Sequence, residues 1–144
     1  MEEIAKYSGC FVCGADNECG LKARFYFDGD KAVTEYRAER RFEGYHDIFH
    51  GGITAALMDE VMIKALLAQK IFVMTVELNV KFVKAIYIGQ KIVFEGHLEK
   101  GRGRLYITSG KAVNDRGEVV AEATGKYLEV GREMNTKLKE SLDR

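Results

Sequence analysis

One segment limits the folds open to this 144-residue chain more than any other. Ile53 to Lys70 reads as a helix that is apolar around most of its circumference. The stretch is rich in Ala, Leu and Met, all good helix formers. A helix without a broad polar face is buried rather than laid on a surface, so the rest of the chain must wrap it. The flanking segments carry the period-2 alternation of strands. Leu21 to Phe27 places Leu21, Ala23, Phe25 and Phe27 on one face, and the turn Asp28-Gly29-Asp30-Lys31 leads into a returning strand, Ala32 to Arg37. After the helix, Val73 to Lys84 places Val76, Leu78, Val80 and Phe82 on one face and Thr75, Glu77, Asn79 and Lys81 on the other. Lys91 to Lys100, Gly103 to Val113 and Glu118 to Val130 follow, the last two joined by Asn114-Asp115-Arg116-Gly117.

Two strands, one buried helix and four strands predict an α+β architecture, an antiparallel sheet wrapped around a single long helix. The length fits one domain spanning 1–144, with an irregular lead-in over 1–20 and a polar tail over 131–144. A single sheet of this kind leaves an open edge, which pairing with a second copy would cover.

Lys+Arg and Asp+Glu balance at 22 each, which leaves no global electrostatic footprint for nucleic acid. No apolar run is long enough to span a membrane. The first ten residues, MEEIAKYSGC, lack the apolar core of a secretory signal, so the cytoplasm is the expected location.

His50-Gly51-Gly52 opens the helix, and Asp59 follows one and a half to two turns later. Glycines at a helix start leave bare N–H groups in a partly positive field, suited to polarising a carbonyl oxygen. A carboxylate nearby can attack or activate water. The helical neighbours of Asp59 are Ala55, Ala56, Met62 and Ile63, none of which can pair with it. Glu60 differs, because Lys64 stands four residues on in the favourable orientation for an ion pair. His50 reads either as a catalytic group or as a residue that shapes the loop. His46 and His50 lack the glutamate of a metalloprotease helix.

The run Phe42-x-Gly44-Tyr45-x4-His50-Gly51-Gly52-x4-Leu57-x-Asp59-Glu60 resembles the hotdog-fold acyl-CoA thioesterases of the phenylacetate-pathway (PaaI) type. Cys10-Phe11-Val12-Cys13-Gly14, with Asn17 and Gly20-Leu21, resembles a Cys-x-x-Cys-Gly subgroup of that family. The resemblance runs on through Glu77-Leu78-Asn79-Val80-Lys81-Phe82 to Gly117–Ala121. It implies the hotdog fold, a homodimer or a dimer of dimers, and active sites built at the dimer interface. It implies Asp59 as catalytic carboxylate, the Gly51 N–H, with Gly52 beside it, as the oxyanion hole, and Thr75 as a water-positioning residue. Many members carry an Asn where this chain has Gly44, and the oxyanion pocket then loses a donor.

Lys100-Gly101-Arg102-Gly103-Arg104 is a basic turn, and guanidinium groups suit phosphate oxygens. Lys100, Arg102 and Arg104 read either as a solvated loop or, as the resemblance implies, as residues that meet the phosphates of coenzyme A, which enters as part of the substrate and not as a cofactor. Phe49 and Met58 are expected to shape the acyl pocket, together with Phe42 and Met62. Cys10, Cys13 and Cys19 do not by themselves complete the four-ligand set of structural zinc. They are read as small buried thiols, with no metal. The expected function is hydrolysis of a small or medium acyl-CoA, with Asp59 as general base or nucleophile. The alternative is a hotdog module that binds acyl-CoA without cleaving it. A dehydratase of the same fold needs a different His–acid arrangement.

Overall fold

The computed structural model describes residues 1–143. In chain order the elements are β1 (Glu2–Glu3), β2 (Tyr26–Phe27), β3 (Ala32–Arg37), α1 (Gly51–Leu67), β4 (Val73–Phe82), β5 (Lys91–Arg102), β6 (Leu105–Val113), β7 (Val119–Glu129) and α2 (Arg132–Ser141), with a 3-10 turn at Arg40–Phe42. The strands form one sheet in the order β1-β2-β3-β5-β6-β7-β4, and every neighbouring pair is antiparallel. The chain leaves β3, runs through α1 and emerges at the far edge as β4. It then returns to the centre as β5. That crossover lays α1 against the inner face of strands β3 to β7.

Leu57, Met58, Val61, Met62, Ala65 and Leu66 on α1 are fully buried, as the apolar circumference of the segment predicts. Fully burying each of the larger ones is worth about 1.5–3 kcal/mol. The helix sits close to the sheet because Gly96 on β5 and Gly110 on β6 face each other in register. A Cβ at Gly96 would lie 2.7 Å from the Val61 carbonyl oxygen, and one at Gly110 would lie 2.9 Å from the Met58 sulfur. Two facing glycines thus open the window into which the helix backbone settles.

Several expectations are corrected. The helix starts at Gly51, two residues before the predicted Ile53, because His50 caps it, and it ends at Leu67. Leu21, Ala23 and Phe25 are buried as their alternation predicts, yet only Tyr26–Phe27 form a strand. Lys22 has φ +55°, which breaks the extended run. The Leu21 and Ala23 N–H groups bond instead to the Phe11 and Val12 carbonyls of the lead-in. The basic turn begins later than expected: Lys100, Gly101 and Arg102 belong to β5, and the reversal falls at Gly103, with φ +62°. Only Cys13 is a buried thiol, whereas Cys10 is half-buried and Cys19 exposed. The tail forms α2 and folds back, the Asp143 N–H donating to the Lys6 carbonyl and its Oδ1 accepting from the Ser8 N–H.

Strand β4 departs most from its reading. Val76 (59% exposed) and Phe82 (56% exposed) lie open on the face predicted to be core. A bulge at Val76 shifts the register between Thr75 and Glu77. It carries Thr75 to the same, helix-facing side as Leu78, against simple alternation.

Candidate active site

The N-terminus of α1 is built around His50. Its imidazole Nδ1 accepts the Gly52 N–H at 2.8 Å, the geometry of an N-cap. Accepting at Nδ1 places the ring proton of the neutral imidazole on Nε2. The Gly52 N–H, expected beside that of Gly51 in an oxyanion hole, is engaged in the cap. The His50 carbonyl accepts from Ile53 and Thr54. The Gly51 N–H has no intramolecular partner among the described residues, and Gly51 is exposed. Gly44 lies against this cap: a Cβ there would stand 3.4 Å from His50 Cα and Cδ2. A side-chain donor at position 44 would thus reach the helix start, and this chain has none.

Asp59 is half-buried, and its surroundings are not the purely apolar ones its helical neighbours predict. Its Oδ1 accepts from Thr75 Oγ1 at 3.0 Å and from the Tyr127 hydroxyl at 2.8 Å. Both bonds go to one oxygen, so Oδ2 keeps its lone pairs. Thr75 comes from β4 through the bulge, and Tyr127 comes from β7. The Tyr127 ring lies over Gly125, where a Cβ would meet it at 2.4 Å. Tyr127 is fully buried, and burial first, then the Asp59 charge, holds its hydroxyl protonated well above the usual tyrosine range. The hydroxyl donates to Asp59 Oδ1.

Glu60 turns away from Asp59 toward the lead-in. Its Lys64 partner is present, with Nζ 3.8 Å from Oε2. The pair is no solvated surface bridge, however. Lys64 is buried and its ammonium also donates to the Ala5 carbonyl. Burial outweighs the ammonium and pushes the Glu60 carboxyl up to about 7, with the nearby Cys10 adding to the rise. The Cys10 thiol donates to Glu60 Oε2 at 3.8 Å.

A groove of about 260 Å³ opens at the start of α1, walled by Phe49, Gly51, Thr54, Phe82, Ile86 and Val120. Phe49 lines it, with most of its ring buried against Tyr36, 5.9 Å between centroids. Met58, expected in the acyl pocket, is fully buried beneath Gly110 and does not line this groove. Thr54 and Phe82 do line it and were not anticipated. A larger cavity of about 700 Å³ lies between residues 21–26 and β3 and holds none of the expected site residues. The basic residues are separate from both. Lys100 and Arg102 are exposed and form no ion pair among the described residues. Arg104 donates to the Glu129 carbonyl at 2.7 Å, so its guanidinium is partly committed.

The family model described as thioesterase superfamily matches residues 46–121, the stretch that holds His50, Gly51, Asp59 and Thr75. Mouse acyl-coenzyme A thioesterase THEM5 is 30% identical over 107 residues, 74% of this chain and 43% of the relative. Human acyl-coenzyme A thioesterase 13 is 29% identical over 104 residues, 71% of this chain and 69% of the relative. The chain thus spans less than half of the first relative and about two thirds of the second. Among solved structures, a thioesterase superfamily protein superposes with a TM-score of 0.80 at 20% identity, over 85% of this chain and 61% of the other. The Escherichia coli PaaI protein of the phenylacetic acid degradation operon gives 0.72 at 18% identity, over 76% and 84%. A Streptococcus mutans protein bound to acetyl CoA gives 0.70 at 16% identity, over 74% and 89%.

Proposed function

The chain belongs to the thioesterase superfamily, with the hotdog fold of the PaaI type, and on that premise we propose that it hydrolyses the thioester of a small or medium acyl-CoA. The observation that carries this reading is the carboxylate of Asp59. It sits midway along a buried helix, held through Oδ1 by Thr75 and Tyr127, with Oδ2 left to act. In the proposed reaction the Gly51 N–H polarises the thioester carbonyl at the positive end of α1. Asp59 takes a proton from water as the water oxygen bonds to the carbonyl carbon, or attacks that carbon itself to give an anhydride that water then cleaves; either way the carbon–sulfur bond breaks, the acyl group leaves as the acid and the water proton leaves on sulfur as the coenzyme A thiol. The acyl group lies in the groove between Phe49, Phe82 and Val120. Lys100 and Arg102 at the β5–β6 hairpin meet the phosphates of coenzyme A. A second copy, paired along β4, covers the open edge and completes the site.

Replacing Asp59 by Asn keeps the shape and removes the base. Turnover of acyl-CoA, followed by thiol release, is expected to fall by about 10²–10⁴-fold, the usual contribution of a general base. Unchanged turnover in a folded D59N protein would remove Asp59 from the mechanism.

The non-catalytic reading has its own support. With Gly44 lacking a side chain and the Gly52 N–H bound to His50, the helix start offers a single free backbone donor. Calorimetric binding of CoA esters by wild-type protein, without thiol release from any of them, would select it.

A further inference from the structure

We propose that Cys10, Cys13 and Glu60 form a zinc site that clamps the lead-in to the catalytic helix. The two sulfurs and a Glu60 carboxylate oxygen lie within 4.8 Å of one another. Around a tetrahedral ion with Zn–S of ~2.3 Å and Zn–O of 2.0–2.2 Å, a sulfur and an oxygen stand ~3.5–3.7 Å apart. Cys10 Sγ and Glu60 Oε2 are 3.8 Å apart. That pair already stands at nearly the required separation, and the three ligand atoms together need only close in around the ion.

Three further features point to ligand binding rather than to incidental contact. The first is the loop, which is built to hold its sulfurs. The Cys13 N–H donates to Cys10 Sγ at 3.4 Å, and the Gly14 N–H to the Cys10 carbonyl at 2.9 Å. Only glycine fits at position 14, because a Cβ would lie 2.3 Å from the Ser8 carbonyl oxygen. The Phe11 and Val12 carbonyls are pinned by Leu21 and Ala23, so the residues between the two cysteines are anchored.

The second feature is charge. Two thiolates and a carboxylate carry three negative charges. A divalent ion and the buried Lys64 ammonium, 3.8 Å from Glu60, bring the cluster to neutrality. Buried charge persists only where it is compensated in this way.

The third feature is donor type. Two thiolates with one carboxylate suit Zn²⁺ better than Mg²⁺ or Ca²⁺, which take oxygen ligands. A water molecule would supply the fourth ligand of a four-coordinate ion. The exposed Cys19 stands outside the cluster. The clamp would join residues 10–13 to α1 one residue from Asp59, and it would stabilise the position of that carboxylate from behind.

The test uses the full chain, purified reduced, stripped with a chelator and titrated with Co²⁺. One equivalent is expected to bind with a thiolate-to-cobalt charge-transfer band, and Zn²⁺ is expected to displace it. Elemental analysis of protein purified without chelator should find about one zinc per chain. C10S and C13S are expected to abolish the band. E60Q is expected to weaken binding by about tenfold or more, since even groups behind a ligand are worth 10–100-fold. D59N is expected to bind metal as wild type does, which separates this proposal from the thioesterase reading. Wild-type protein that binds no metal overturns the site, whatever the variants do. So does a metal stoichiometry unchanged in C13S, or two thiols that oxidise to a disulfide and never take up cobalt.

Discussion

Asp59 and Glu60 are adjacent carboxylates with opposite fates, set by the side of α1 each one faces. Asp59 meets Thr75 and Tyr127, and Glu60 meets Cys10 and Lys64. The sequence made Asp59 conspicuous because no residue a helical turn away can pair with it. Its true partners lie 16 and 68 residues along the chain, beyond the reach of helical spacing. A trace of Tyr127 was nonetheless present: Ala121, Ala123 and Gly125 precede it on one face of β7, a run of small residues that leaves room for a ring and a helix. The Lys64 spacing predicts the partner of Glu60 correctly, but spacing carries no information about burial. Removing the Tyr127 hydroxyl isolates its effect on Asp59. Y127F keeps the ring over Gly125 and deletes the hydroxyl's bonds to the Asp59 carboxylate and carbonyl, at a stability cost of about 1 kcal/mol. With Thr75 the remaining holder, kcat is expected to fall while KM for acyl-CoA stays close to wild type. Steady-state kinetics on the folded variant checks this, and a change confined to KM would place Tyr127 in substrate binding instead.

At the scale of elements, the buried helix was legible because its composition leaves no polar face. The distance at which it packs was not, because that depends on two glycines that meet only in the folded sheet. Gly96 and Gly110 differ in what a methyl group would strike. At Gly96 it strikes the Val61 carbonyl oxygen at 2.7 Å, a backbone atom that cannot turn aside. At Gly110 the nearest atom is the flexible Met58 sulfur at 2.9 Å. G96A is therefore expected to cost about 1–3 kcal/mol, typical of overpacking. G110A is expected to cost less, since Met58 can move. Urea unfolding monitored by circular dichroism measures both, and an equal or reversed order would show that the helix, not the side chain, yields. The bulge at Val76 and the break at Lys22 were hidden for a related reason. Period-2 alternation describes an ideal strand, and neither an inserted residue nor a positive φ leaves a mark in it.

For the molecule as a whole, the sheet order places β4 at an edge, bonded to β7 on one side only. On the apolar face of β4, Leu78 and Val80 pack against the core, whereas the start of the strand is not covered in one chain. Met74 is 49% exposed and Val76 59% exposed. An edge strand with such side chains invites pairing with another sheet. The mispredicted face and the proposed dimer are thus two views of one observation, for a pattern that encodes burial does not say which chain does the burying. The N-terminus of α1 and the groove beside Phe82 lie at the same edge of the molecule, which ties assembly to the proposed chemistry. Placing like charges there tests that tie. M74E with V76E puts four carboxylates across a two-fold strand pair, and like charges directly opposite are destabilising. Sedimentation equilibrium is expected to report a monomer with unchanged far-ultraviolet circular dichroism, and thiol release from acyl-CoA is expected to fall with the loss of the dimer. A double variant that stays dimeric would move the interface to another face. A monomer with full turnover would mean that one chain holds a complete active site, and that the open edge of β4 serves assembly alone.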